Sequence, residues 1–92
     1  MPQVFRIGSW WVFFWPSEGM PTEPIHVHVS QGRPTENATR AWVAKAGGCL
    51  VRNDNSRIPE RVLRNICRII ESRSDDVVGM WRERFGEPRY SC

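Results

Sequence analysis

Lysine is nearly missing from this sequence: of thirteen basic residues only Lys45 is one, and the others are arginine. Also missing are a CxxC pair, an internal repeat, a low-complexity block and any long apolar run. The cysteines are Cys49, Cys67 and Cys92. An odd number with no paired spacing leaves one over from any disulfide framework and does not match a zinc ribbon, so they read as reduced thiols. The longest apolar stretch, Trp10 to Trp15, falls far short of the roughly 20 residues a membrane helix needs, and no charged segment with a small-residue cleavage site accompanies it. The expectation is a soluble, cytoplasmic protein with no membrane association. Without low-complexity sequence, disorder is expected only at the ends.

What is there fits a small globular domain. The chain has 92 residues, 40% hydrophobic and 25% charged, which suits one core over residues 1–88 with a frayed tail at 89–92. A chain this short has no room for a buried cofactor cleft, so no cofactor is expected. Net charge is +3. Arginine forks match phosphate and carboxylate, which favours nucleic acid or an acidic partner, although arginine usage also follows genome composition.

Along the chain, residues 3–7 and 10–15 are aromatic and β-branched and are separated by Gly8-Ser9, the signal of a tight hairpin. Alternation puts Trp11, Phe13 and Trp15 on one face of the second strand and Trp10, Val12 and Phe14 on the other. A strand apolar on both sides suits a central place, and its aromatics read as core before they read as a base-stacking surface. Residues 16–24, with three prolines and Gly19, form a loop leading into a strand at Ile25 to Val29. A second hairpin spans 38–44 and 49–52 around Gly47-Gly48, and 53–56 turns the chain again. Pro59 suits the start of a helix over 59–72, whose apolar face is Val62, Leu63, Ile66, Ile69 and Ile70. Arg61, Arg64 and Arg68 fall in one arc on its other side, flanked by Glu60 and Glu71. Such a stripe can lie along a phosphate backbone or stay a solvated face with partial ion pairing. Ser74 followed by Asp75 and Asp76 predicts a capped second helix, with Val77, Val78, Trp81 and Phe85 as its buried side and Gly86 and Pro88 at its end. Strands first and helices last predict an α+β fold: an antiparallel sheet of four to five strands followed by two C-terminal helices packed on one face.

Both histidines sit in Glu23-Pro24-Ile25-His26-Val27-His28-Val29. In an extended strand His26 and His28 point to one side, roughly 7 Å apart, and Ile25, Val27 and Val29 to the other, so one face is expected to be ionisable and the other core. Glu18 and Glu23 in the preceding loop can approach the rings. Three readings stay open. The pair can move protons at a scissile phosphate, with Glu23 assisting and Arg6, Arg33 or Arg52 stabilising phosphate charge. It can give zinc two ligands, the third coming from Glu18, Glu23, Cys49 or Asp54, although none has a diagnostic spacing and no metal is assigned. Or the rings hydrogen-bond the proline-rich loop and do nothing else.

Met1-Pro2 before a hydrophobic hairpin, Pro24-x-His26-x-His28, the approach to the helix at Pro59 and the late Trp81 together resemble a family of small bacterial proteins, the domain of unknown function numbered four-one-six-zero. The resemblance covers nearly the whole chain, with Ile25 where that family usually has a second proline. It implies one half of a small two-gene module of the toxin–antitoxin sort. Two functions follow as expectations. The first is a nucleic-acid-directed component of such a module, with His26, His28 and Glu23 at the catalytic centre and Arg6, Arg33, Arg52, Arg61, Arg64 and Arg68 holding RNA or DNA. The second is a non-catalytic protein-binding module, taking a small partner encoded alongside, in which the histidine pair is structural. Whether the pair is catalytic is left open, as is the oligomeric state.

Overall fold

A computed structural model describes residues 3–15, 24–35, 38–54 and 57–91 of the protein. Five strands form one antiparallel sheet in chain order: β1 (Gln3–Ile7), β2 (Trp10–Phe13), β3 (His26–Gln31), β4 (Thr39–Val43) and β5 (Cys49–Asn53). Two helices follow, α1 (Glu60–Ser72) and α2 (Ser74–Phe85). The α+β architecture expected from the order of the elements is the one found.

The first hairpin is closed by Gly8-Ser9, because Ile7 pairs with Trp10. Gly8 sits at φ +61, a conformation that costs glycine nothing and lets a two-residue turn follow the twist of the strands. The doubly apolar β2 lies inside the sheet, but the middle position belongs to β3, the histidine strand. Register sets which residues share a face. Val12 pairs with Val29, and Val27 with Ala41. With Phe14, Ile25 and Val43 they form a layer that meets Ile58, Ile66, Ile70, Val77 and Trp81 from the helical side.

Ile66 and Ile70 are the buried residues of α1, and Val77 and Trp81 those of α2, all of them on the faces expected from the helical period. The expected cap at Ser74 is not formed. Ser74 is already inside α2, only Arg73 separates the helices, and the Arg73 carbonyl accepts the Val77 N–H at 3.0 Å. The acids Asp75 and Asp76 do occupy the first turn, where the helix dipole favours them. Gly86, at φ +88, ends α2 with its N–H on the Arg82 carbonyl. The chain then returns to the sheet, where the Ile25 N–H donates to the Arg89 carbonyl at 2.7 Å.

A carboxylate ties the second hairpin to α1. Asp54 Oδ1 accepts from the Thr39 hydroxyl at 2.7 Å and from the Ile58 N–H at 2.9 Å. Asp54→Ala should lower unfolding free energy by about 1–3 kcal/mol in urea denaturation, since two hydrogen bonds to one carboxylate oxygen are lost at once. Asp54→Asn keeps an oxygen at that place and should recover at least half of the loss.

Candidate functional site

The histidine strand has neighbours on both edges and material on both faces, so neither histidine lies open. His26 is 0% and His28 4% exposed. The ionisable face expected at this strand is therefore a second buried layer. Its cause is register: Phe13 lies opposite His28 and Trp42 opposite His26, so aromatic side chains from both flanking strands enclose the imidazoles. The His28 ring stacks on Phe13 at 5.5 Å and meets Trp15 at 6.2 Å. The His26 ring lies 4.9 Å from Trp42 and 5.7 Å from Trp81. The two imidazoles lean together edge to face, their centres 5.0 Å apart. His26 Nδ1 is 2.8 Å from the Pro24 carbonyl, which makes that nitrogen the protonated donor and fixes the ring.

Two nitrogens missed by the sequence reading belong to the same layer. Arg40, paired with His28, and Trp42 carry buried Nε and Nε1 atoms that make no hydrogen bond among the described residues. The Arg40 guanidinium lies 5.8 Å from the Trp42 ring centre. The signal was available: Arg40 and Trp42 alternate along their strand with the period of the histidines, so an antiparallel neighbour places them on that face.

The zinc reading needs a third ligand. Glu18 and Glu23 lie outside the described residues, and among those described no three of His, Cys, Asp and Glu are grouped to hold a metal ion.

The arginines divide into separate places. Arg6 is exposed on β1 with its guanidinium 4.1 Å over the Trp11 ring. Arg33 is exposed in the turn after β3, and Arg52 lies on β5 with its side chain outside the described residues. Arg61, Arg64 and Arg68 come together. With Asn65 and Val62 they line one wall of an open groove of about 600 Å³, whose other wall is Ile7 and Trp10 of the first hairpin. Arg64 pairs with Glu60 at 2.8 Å on the exposed helix surface, a bond of small net value there. Arg61 and Arg68 have no ion-pair partner among the described residues. The groove therefore offers two uncommitted guanidinium groups, a third held by a weak pair, and the Trp10 side chain.

Residues 9–82 match the family model described as "Domain of unknown function (DUF4160)". No curated protein and no solved structure matches the chain.

Proposed function

The chain belongs to the DUF4160 family, and from that premise we propose that it is a nucleic-acid-directed binding module whose site is the groove between the first hairpin and α1. The single observation that carries the reading is the convergence of Arg61, Arg64 and Arg68 with Trp10 on one concavity. At about 1.5 Å rise per residue, Arg61 and Arg68 stand roughly 10 Å apart along the helix axis, a span that reaches more than one phosphate of a strand. Trp10 supplies a ring on which a base can stack, an interaction indifferent to sequence. Single-stranded RNA fits this combination better than a duplex, whose bases are already stacked.

In this reading the histidines hold the fold and take no part in chemistry. Their burial and the His26 bond to the Pro24 carbonyl support that role. With the histidines structural, the action of this reading is exerted through binding, and a partner protein encoded alongside is what it would complement.

The test is a fluorescence-anisotropy titration with a labelled single-stranded RNA across a salt series. Wild-type protein should bind with affinity that falls as salt rises. The Arg61→Ala, Arg68→Ala double variant should bind at least tenfold more weakly, with the log–log salt slope reduced by about 1.4, since each lost phosphate contact removes about 0.7 for a single strand. Salt-insensitive binding by wild type, or equal affinity in the double variant, would overturn the assignment.

A further inference from the structure

Cys49 opens β5 and Cys67 lies in the middle of α1, yet their sulfurs are 3.0 Å apart. Both residues are partly exposed, and the Cys67 thiol is the less buried of the two. A neighbouring bond holds the two elements in this relation: the Cys49 N–H donates to Glu71 Oε2 at 3.0 Å, one turn of α1 beyond Cys67. We propose that Cys49 and Cys67 form a reversible dithiol–disulfide site, closed by a low-molecular-weight disulfide such as oxidised glutathione. This site stands apart from the groove, on the flank of α1 that meets β5.

Unequal burial, with Cys67 the more open of the two, and the hydrogen bond between them give the two sulfurs different parts. The Cys49 thiol donates to Cys67 Sγ. Accepting that bond lowers the Cys67 thiol below its ordinary value, against burial and the Glu71 carboxylate, which raise it. Donating it, together with burial and the negative charges beside it, pushes Cys49 far up. Cys67 is thus the attacking thiolate and Cys49 the resolving thiol. The Cys67 thiolate attacks one sulfur of oxidised glutathione, forming a mixed disulfide and expelling a glutathione thiolate, which takes up a proton. Cys49 then loses its proton and attacks the Cys67 sulfur, expelling the second glutathione as thiolate. Two protein thiols are oxidised, and one glutathione disulfide is reduced to two thiols. The sulfurs start within about 1 Å of bonding distance, so closure needs little backbone movement.

The experiment uses the full chain with Cys92→Ser, so that any crosslink found must join the remaining two. After incubation with oxidised glutathione, peptide mass mapping should show a Cys49–Cys67 disulfide. The melting midpoint should rise by roughly 10–20 °C and return on addition of a dithiol reductant, as expected for closing a loop of this size. With Cys49→Ser added, the reaction should stop at a glutathione adduct on Cys67. With Cys67→Ser instead, Cys49 should stay a thiol. Thiols that remain free in the Cys92→Ser protein, or a glutathione adduct on Cys49 in preference to Cys67, would overturn the proposal.

Discussion

Trp81→Ala should bring the protein close to unfolding at 25 °C. Trp81 is 2% exposed and is the largest fully buried side chain. Its ring meets Phe14 at 5.4 Å, Phe85 at 4.5 Å and His26 at 5.7 Å, so it joins α2 to β3 and to the end of the aromatic hairpin. Removing the indole forfeits its transfer from water and leaves a cavity that rigid neighbours on three elements cannot close. Large aromatic truncations of this kind cost about 3–5 kcal/mol, against about 5–15 kcal/mol for the whole stability of a small domain. Urea unfolding followed by circular dichroism should show the midpoint falling steeply with the slope little changed. Leu50→Ala is the control. At 46% exposed, Leu50 should shift stability by no more than about 0.5 kcal/mol. A Trp81 variant that unfolds near the wild-type midpoint would mean that α2 does not pack on the sheet through this residue.

The second large effect is expected at the histidine pair, and it separates structure from catalysis. His26→Ala and His28→Ala should each cost about 2–4 kcal/mol, because each removes a ring packed among aromatic neighbours; the first also strips the Pro24 carbonyl of its donor. His28→Phe keeps a ring of similar size against Phe13 and Trp15 and should recover the packing part of the loss in the single-site comparison. The decisive readout is function in the folded state. RNA affinity of His28→Phe, measured where the variant is folded, should match wild type, since the groove is formed by α1 and the first hairpin. If expression of the wild type arrests growth, His28→Phe should arrest it equally. A folded His28→Phe protein with wild-type RNA binding but no effect on growth would restore the pair to catalysis.

The path from α1 to the groove shows how local and non-local information divide in this molecule. The arginine stripe was legible as three residues in one arc, because helical spacing is a property of α1 alone. That the stripe faces a concavity, with Trp10 and Ile7 across from it, depends on where the first hairpin stands relative to α1. Positions 10 and 61 are too far apart in sequence for any periodicity to connect them. The same holds for Cys49 and Cys67. Their spacing matches no motif, and only the packing of α1 on β5 brings the sulfurs to 3.0 Å.

By itself the sequence determined the element order, the Gly8-Ser9 turn, the buried faces of both helices and the α+β class. Each follows from a pattern contained within one element or one tight turn: alternation by two, recurrence at 3.6, or a glycine where φ must be positive. The tertiary structure decided which strand is central, and with it the state of the histidines. Alternation correctly put His26 and His28 on one face of β3, but one strand carries no information about what lies against that face. Only when β2 and β4 pair in register do Phe13 and Trp42 stand opposite the imidazoles and exclude water from both. Burial is a property of neighbours across hydrogen-bonded strands, and so a pair that reads as an open ionisable site along the chain becomes part of the core in the sheet.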